Sequence, residues 1–354
     1  MGAFLDKKLS DMTPYTPGEQ PKNVKDLIKL NTNESPYPPS PKVIESLSSA
    51  EISDLRLYSD PTCERLLKSI AAYHGVGIEN VFPGNGSDEI LALCFHGLCE
   101  NGAAFADITY GFYDVYVQMF GVDYKKIPLR EDFTIAVGDY AGEKGTLFIA
   151  NPNAPTGIAL SLSKIEKLLQ QDAERLVVVD EAYVAFGAES AVSLLGKYPN
   201  LLVVHTFSKS HSLAGARIAY AVGAKELIAD LNTLKFSFNP YNVNRLSILA
   251  GASAMDDREY FEENRQKVIA ARVYTSAALR ERGFVLTDSR ANFIFAGDNP
   301  RIAAKDYFEG LRENGILVRY FPSPRIDNYV RITIGTMDNM KRLVEVTADM
   351  LAKK

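Results

Sequence analysis

The chain has 354 residues, of which 46% are hydrophobic and 23% charged, a balance typical of a folded globular protein with more than one domain. Its formal net charge of −5 leaves no basic excess for nucleic acids or anionic membranes, and its three irregularly spaced cysteines form no disulfide framework. The opening segment MGAFLDKKLSDM lacks the apolar core of a signal peptide and no apolar run is long enough to span a bilayer, so we expect a cytoplasmic enzyme.

The first elements in chain order are an arm and two helices. Residues 13–41 are rich in Pro, Asn and Thr, which predicts an extended arm with turns. TCERLLKSIAAYHG, residues 62–75, is amphipathic with a Thr start and a Gly stop, and predicts a helix. SDEILALCFHGLCENG, residues 87–102, repeats that pattern, with Ser87 predicted as the N-cap and two acids in the first turn.

Short apolar runs with many β-branched residues follow, and helical segments such as SLSKIEKLLQQDA separate them. Runs without polar interruptions suit strands that are buried on both faces, as in a parallel sheet, and the alternation predicts an α/β domain. The runs are TLFIA at 146–150, RLVVVD at 175–180, LLVVHTF at 201–207 and IAYAVG at 218–223.

The last third of the chain has a different pattern. A long helical stretch is predicted over residues 241–282. The segments ANFIFAG, GILVRYF and YVRITIG then read as strands with intervening and closing helices, which predicts a second, smaller domain.

Candidate functional residues follow the predicted strands, because ligands of open α/β sheets bind beyond the C-terminal ends of the strands. VFPGNGSDEI, residues 81–90, places two glycines and Ser87 at a helix start, where free N–H groups bind phosphate. Tyr110 could form a flat platform for an aromatic ring, and the asparagines of NPNAPTG, residues 151–157, could donate to a ligand oxygen.

Two later strand ends carry charged residues. Asp180 ends an apolar run, where a carboxylate is costly unless it is paired, and Tyr183 lies three residues further on. Lys209 follows the next run, where shelter from water would make it a better nucleophile, and Ser208 and Arg217 could bind a phosphate beside it.

Each feature also has an ordinary structural explanation: a helix cap, a core aromatic residue, a proline-rich turn, a local ion pair or a solvated lysine. Their joint order describes a ligand with a phosphate, a flat ring, a ring nitrogen that needs a carboxylate, and an aldehyde for the lysine. Pyridoxal 5'-phosphate (PLP) has these parts, and its usual protein partners are a lysine and an aspartate at the ring nitrogen.

With these motifs, the chain resembles the fold-type I PLP-dependent aminotransferases of class I/II, and among them the histidinol-phosphate aminotransferase family. The resemblance covers nearly the whole chain, including LNTNESPYPPSP, LYSDP, GNGSDE, NPNAPTG, VVVDEAY, TFSKSHSLAGAR and VRITIGT. It implies a large PLP-binding domain with a mostly parallel, seven-stranded sheet flanked by helices. It further implies a smaller α+β domain at the C-terminus and an N-terminal arm, with expected bounds of 41–245, 246–354 and 1–40.

The resemblance also implies a role for individual residues. Lys209 would bind the cofactor aldehyde covalently, Asp180 would pair with the ring nitrogen, and Tyr183 would donate to the ring oxygen. Tyr110 would stack on the ring. The residues implied to hold the phosphate are Ser87, Asp88, Ser208, Arg217 and, from the partner subunit of a homodimer with shared active sites, Tyr58.

Substrate residues rest on the resemblance alone. It implies that Arg331 binds an amino-acid carboxylate and that Tyr15, Asn33 and Arg319 contact substrate. One departure concerns the position before Pro-Thr-Gly, where the family has an asparagine and this chain has Ala154. We expect Asn153 to take over the contact with the ring oxygen, and Arg325 either to add positive charge to the site or to form an ion pair.

The implied reaction is amino transfer between histidinol phosphate or imidazole-acetol phosphate and glutamate or 2-oxoglutarate, a step of histidine biosynthesis. No metal is expected. Two alternatives on the same scaffold are an aromatic or broad-specificity amino-acid aminotransferase and a PLP lyase similar to the threonine-phosphate decarboxylases. A PLP-binding regulator without turnover lacks a DNA-binding appendage, and a dinucleotide oxidoreductase lacks a G-x-G-x-x-G segment after a first strand.

Overall fold

A computed structural model of the chain describes residues 5–9, 12–21 and 27–353. Residues 1–4, 10–11 and 22–26 of the predicted arm lie outside the described residues. The part of the arm over residues 12–21 has no helix or strand, as the composition predicts.

The strands of the described residues fall into three sheets. In chain order they are β1 (Ile28–Lys29), β2 (Val81–Gly84), β3 (Ala103–Ala106), β4 (Tyr124–Ile127), β5 (Thr146–Ala150), β6 (Val177–Asp180), β7 (Leu201–Thr206), β8 (Ala219–Gly223), β9 (Phe293–Gly297), β10 (Ile316–Leu317), β11 (Arg319–Tyr320) and β12 (Tyr329–Thr333).

The α-helices of the same residues are α1 (Pro41–Ser46), α2 (Ser49–Ser53), α3 (Glu64–His74), α4 (Ser87–Gly97), α5 (Phe112–Phe120), α6 (Leu162–Gln170), α7 (Lys225–Phe238), α8 (Arg245–Asp256), α9 (Arg258–Glu281), α10 (Ala304–Glu313) and α11 (Met337–Ala352). Short 3₁₀ helices span Lys7–Leu9, Asp54–Arg56, Ile78–Asn80, Val137–Tyr140, Val184–Phe186, Ala191–Leu194 and Ala214–Ala216.

The large sheet has seven strands in the order β2–β8–β7–β6–β5–β3–β4. Strands β3 to β7 pair in parallel, whereas β8 runs antiparallel to both β2 and β7. Helices α4, α5 and α7 cover one face, and α1, α3, α6 and α8 cover the other. The prediction of a mostly parallel α/β sheet is therefore confirmed.

A smaller body forms around the antiparallel sheet β11–β12–β9. Helices α9, α10 and α11 pack on it, and β1 pairs in parallel with β10, which joins the end of the arm to this body. Helix α8 packs instead on α1 and α3 beside the large sheet. A division at Asp257, between α8 and α9, thus matches the packing more closely than the expected division after residue 245. The domain bounds stay a prediction.

Three local predictions need correction. Ser87 is the first residue of α4 rather than its N-cap, which is Gly86 with φ +82°, a conformation that glycine adopts without strain. The helical stretch 241–282 is interrupted at Asp257, whose φ of −104° and ψ of 66° are not helical. The segment IAYAVG forms an antiparallel strand, because an apolar run reports burial on both faces and not strand direction.

Candidate active site

The parallel strands bring the predicted charged residues to one edge of the large sheet. Asp180, the last residue of β6, pairs with Ala150 of β5 on one side and with Val204 of β7 on the other. Lys209 follows the end of β7 by three residues. The ends of these three neighbouring strands therefore place the NPNAPTG loop, the aspartate and the lysine side by side.

Asp180 is a buried carboxylate with few partners. Its Oδ2 accepts a hydrogen bond from the hydroxyl of Tyr113 at 3.1 Å, and its Oδ1 accepts one from the backbone N–H of Ala182 at 3.2 Å. Burial raises the pKa of Asp180 to about 6, although these two donors oppose the shift. No arginine or lysine within the described ranges forms an ion pair with it, so the carboxylate is available to a cationic group of a ligand.

Lys209 lies at the centre of the site. Its Nζ donates to the backbone carbonyl of Thr32 at 3.2 Å and is 5.9 Å from the centre of the Tyr183 ring. Burial of the ammonium group, followed by the positive charge of Arg331, lowers the pKa of Lys209 to about 8. An appreciable share of the amine is therefore unprotonated near neutral pH, the form in which it is a nucleophile and a base.

The start of α4 faces Arg217 across a narrow cradle. A Cβ atom on Gly86 would lie 2.5 Å from Nη2 of Arg217, so only glycine leaves this space open. Arg217 donates to Oδ2 of Asp88 at 3.0 Å. The Ser208 hydroxyl accepts from Thr206 at 3.0 Å, which leaves its own hydrogen free to donate. Arginine, a serine hydroxyl and the N–H groups of a helix start suit a phosphate.

Tyr110 is fixed beside this cradle. Its hydroxyl donates to Oδ1 of Asp88 at 2.8 Å. Tyr15 of the arm contacts the same aromatic group, with its ring 6.4 Å from that of Tyr110 and stacked at 4.4 Å on Phe112. The two predicted tyrosines thus lie together although 95 residues separate them in the chain.

Tyr183 and Asn33 form a second pair across the site. The Asn33 amide donates to the Tyr183 hydroxyl at 3.0 Å, and its Oδ1 accepts from the Thr333 hydroxyl at 3.0 Å. Asn33 has a positive φ of 56° and is 1% exposed. The Asn33 amide thus orients Tyr183, and the implied contact of Asn33 with substrate stays a prediction.

The Asn153 side chain is fully hydrogen-bonded, to the segment after β3 and to its own loop. Its Nδ2 donates to the carbonyl of Ile108 at 3.0 Å and to the hydroxyl of Thr156 at 3.1 Å, and its Oδ1 accepts from Thr109 at 2.8 Å. Because both amide hydrogens are used, a further contact with a ring oxygen would require one of these bonds to break. The expected role of Asn153 therefore stays a prediction.

Two arginines from the smaller body complete the site. Arg331 donates to the carbonyl of Asn31 at 3.1 Å, lies against Phe293 and Phe321, and keeps its Nε without a hydrogen-bond partner in the described part of the chain. Arg319, its register partner on β11, donates to the carbonyls of Thr16 and Pro17 in the arm, at 3.1 and 3.3 Å. Arg331 therefore keeps a donor for an anionic ligand, while Arg319 restrains the arm.

Two residues lie away from this group. Arg325 pairs with Asp107 at 2.6 Å and donates to the carbonyls of Leu129 and Arg130. Of the two expected roles of Arg325, the structure therefore shows the ion pair. Tyr58 is 81% exposed and stacks on Tyr241 at 4.6 Å. Neither Arg325 nor Tyr58 therefore contributes a side chain to the site around Asp180 and Lys209 of the same chain.

The sequence reasoning missed two contributors. Tyr113, which donates to Asp180, lies in the first turn of α5, three residues after Tyr110 in the chain. Thr32 contributes only a backbone carbonyl to Lys209, which no sequence pattern could reveal.

The donor set fits PLP. Asp180 is a buried carboxylate without an ion-pair partner among the described residues, Lys209 has a lowered pKa, and the cradle at Gly86 and Arg217 would be filled by a single Cβ atom. These features match a protonated ring nitrogen, an aldehyde and a phosphate, respectively.

Comparison with known proteins agrees with this geometry. The family described as aminotransferase class I and II matches residues 25–346, and the chain belongs to this family. A protein of Brachyspira hyodysenteriae named histidinol-phosphate aminotransferase is 50% identical over 348 residues, which are 98% of each chain.

Two solved structures share the fold. The histidinol-phosphate aminotransferase of Clostridium acetobutylicum has a TM-score of 0.85 at 23% identity, covering 93% of this chain and 100% of that one. The enzyme of that name from Sinorhizobium meliloti, solved in complex with pyridoxal-5'-phosphate, has a TM-score of 0.83 at 23% identity, covering 92% and 91%. They support the predicted fold type. Within the described residues, none of the helices combines the length and apolar character needed to cross a membrane.

Proposed function

We propose that this chain is a PLP-dependent enzyme that transfers an amino group between histidinol phosphate and 2-oxoglutarate, in either direction, as in histidine biosynthesis. The observation that carries the proposal is the arrangement of Lys209 and Asp180 at neighbouring strand ends, opposite Arg331. The 50% identity to a histidinol-phosphate aminotransferase supports this choice of substrate.

The cofactor supplies an aldehyde that captures the substrate amine and a ring that withdraws electrons from the substrate α-carbon. Lys209 has two tasks in the proposal: its amine would hold the aldehyde of PLP between turnovers, and the free amine would move a proton to and from the substrate α-carbon. Its pKa of about 8 suits the second task, because a general base is most effective when its pKa is near the working pH.

Asp180 and Tyr183 would tune the site around that proton transfer. The Asp180 carboxylate would hold a proton on the ring nitrogen of bound PLP, and that cationic partner would keep Asp180 ionised below the pKa of about 6 that it has in the cofactor-free protein. Tyr183, oriented by the Asn33 amide at 3.0 Å, would donate to the ring oxygen, and Tyr110 would cover the ring. The phosphate would be held by Ser87, Asp88, Ser208 and Arg217, with Asp88 acting through its backbone and by fixing Arg217.

The substrate residues face a selectivity problem, since glutamate brings an α-carboxylate where histidinol phosphate brings no carboxylate but a phosphate. Arg331 is suited to the carboxylate because its Nε has no hydrogen-bond partner among the described residues. Arg319 and Tyr15 belong to the arm contact, so we assign them to closing the site over either substrate.

We also propose a cytoplasmic homodimer in which Tyr58 reaches the phosphate of the partner's cofactor. Large apolar side chains are exposed around Tyr58, among them Leu55 at 50%, Leu57 at 48% and Phe238 at 80%. Such a surface is costly in water and is typical of a contact between subunits.

A complementation experiment tests the shared site. Lys209→Ala and Tyr58→Ala chains are mixed under dissociating conditions and allowed to reassociate. If Tyr58 acts across the interface, mixed dimers contain one site with both residues and regain activity that neither parent has. If the mixture is no more active than its parents, Tyr58 acts within its own chain or not at all.

Steady-state kinetics test the substrate. We expect kcat/KM for histidinol phosphate to exceed that for phenylalanine at least tenfold, which equals about 1.4 kcal/mol of transition-state binding. A preference for phenylalanine would indicate an aromatic aminotransferase instead. Release of carbon dioxide without an oxo-acid acceptor would indicate a lyase.

A further inference from the structure

Glu181 follows Asp180 in the chain but points to the other face of the large sheet. Its side chain is completely buried. Oε2 accepts a hydrogen bond from the Ser190 hydroxyl and Oε1 accepts one from the backbone N–H of Ala191, both at 2.6 Å. Glu181 therefore fastens the end of β6 to the start of the 3₁₀ helix at Ala191–Leu194.

His205 lies beside Glu181 on the neighbouring strand. Asp180 pairs with Val204, so the next residues, Glu181 and His205, share a face of the sheet. Nε2 of His205 is buried 3.3 Å from Oε2 of Glu181 and forms no hydrogen bond within the described residues. The imidazole is stacked on Tyr220 at 5.0 Å with an interplanar angle of 15°, which fixes its orientation.

Two acceptors at this distance need a proton between them. A carboxylate and an unprotonated imidazole nitrogen would repel each other, and burial removes the water that could separate them. One proton resolves the conflict, whether it is bound to the carboxyl oxygen or to the nitrogen. With two protons, by contrast, a buried imidazolium would face a neutral carboxyl without a counter-charge.

We propose that Glu181 and His205 share a single proton directly behind the active site, and that this pair positions the strand end carrying Asp180 and the segment carrying Tyr183. Glu181 begins the segment 181–191, and its carboxylate accepts a hydrogen bond from Ala191 at the other end of that segment. Tyr183 lies within it. Glu181 is thus a positioning residue, which acts through the residues on either side of it.

The surroundings place the proton on Glu181. Burial, together with the charge of Asp180, raises the pKa of Glu181 to about 8, whereas burial lowers that of His205 well below its usual range. The other titratable groups that face the pair are Asp180 on β6, Tyr220 on β8, Tyr73 and His74 on α3, and His211 after β7.

The pH dependence of stability follows from this. Folded Glu181 binds its proton more tightly than the unfolded chain does between the ordinary value of 4.5 and about 8. The contribution of this proton to the free energy of unfolding is therefore fully present below about pH 4.5, and it is lost as the pH rises to about 8. Glu181→Gln copies the protonated carboxyl, since its amide oxygen accepts from Ala191 and its amide nitrogen donates to His205, but it has no proton to lose.

The test compares urea unfolding of PLP-loaded wild type and Glu181→Gln at fixed protein concentration. At each pH we subtract the urea midpoint of wild type from that of Glu181→Gln. We expect this difference to rise steadily from pH 5 to pH 8 and to stay constant above pH 8. The exposed Glu226→Gln serves as control and should show a constant difference. A constant difference for Glu181→Gln as well would refute the shared proton.

Two further readouts separate positioning from bulk stability. The chain has four histidines, so ring signals of histidine-labelled protein can be followed singly, and that of His205 should not titrate between pH 5 and 7.5. Glu181→Ala should weaken PLP binding about tenfold, near the net value of one hydrogen bond, and Glu181→Gln should restore it to within about twofold. A His205 midpoint near 6.5, or equal PLP binding by both variants, would overturn the proposal. Neither result depends on which amine is the substrate.

Discussion

Replacing Tyr113 by Phe should weaken cofactor binding in a manner that depends on pH. The Tyr113 hydroxyl donates to Asp180 at 3.1 Å in a buried setting and opposes the rise of the Asp180 pKa to about 6. A hydrogen bond to a charged acceptor contributes about 1.5 kcal/mol, which corresponds to about one pKa unit. In the variant, the pKa of Asp180 in the cofactor-free protein should thus lie near ~7.

The assay is PLP affinity measured from pH 6 to pH 8.5 on wild type and variant. With these pKa values, the ionised share of Asp180 at pH 6 falls from about one half to about one tenth, so affinity should drop about fivefold. At pH 8 both proteins are mostly ionised, and the affinities should agree within about 1.2-fold. Groups on PLP titrate equally with both proteins and cancel in the ratio.

A matched control is Tyr116→Phe, whose lost hydroxyl donates to the backbone carbonyl of Asp88 at 2.9 Å rather than to Asp180. Its affinity ratio to wild type should not vary with pH. If Tyr113→Phe also gave a ratio that is constant from pH 6 to pH 8.5, the Tyr113 hydroxyl would not control the ionisation of Asp180.

Three further predictions concern the remaining parts of the site. Lys209→Ala should abolish turnover yet retain PLP through its phosphate contacts, as absorbance after gel filtration would reveal; multiple turnover without added amine would refute its role. Gly86→Ala, with a Cβ 2.5 Å from Arg217, should weaken PLP binding about tenfold, whereas Gly138→Ala, with no atom within 4 Å, should bind as wild type. Arg319→Ala, which loses two bonds to the arm, should raise KM several-fold with little change in PLP affinity; an unchanged KM would contradict its assignment to the arm.

The sequence patterns predicted the central strands of the large sheet because strands that are buried on both faces appear in the sequence as uninterrupted apolar runs. TLFIA coincides with β5, whereas RLVVVD loses its first two residues. The first of these two residues, Arg175, lies before β6, and its side chain donates to the carbonyls of Tyr140, Glu143 and Leu168. The antiparallel direction of β8 depends on the path of the chain between β7 and β8, and the residues of the strand itself do not indicate that path.

The candidate site was predictable where residues follow strand ends and unpredictable where contacts cross the chain. Asp180 and Lys209 belong to the first group. The second includes the Asn33 amide, which meets Tyr183 across 150 positions, and the arm, which Arg319 binds across 302 and 303 positions. Asn153 shows a third case, in which both amide hydrogens already bind other residues, one of them the carbonyl of Ile108 45 positions away, so its predicted contact with a ligand stays a prediction.

Half-reactions with single substrates test the central claim most directly. The purified protein loaded with PLP is mixed with glutamate alone or with histidinol phosphate alone, and the absorbance of the cofactor is followed. We predict that each amine converts the cofactor to its amino form, and that 2-oxoglutarate returns it to the aldehyde form. Conversion by glutamate with no response to histidinol phosphate would contradict the proposed substrate, and no response to either amine would contradict transamination itself.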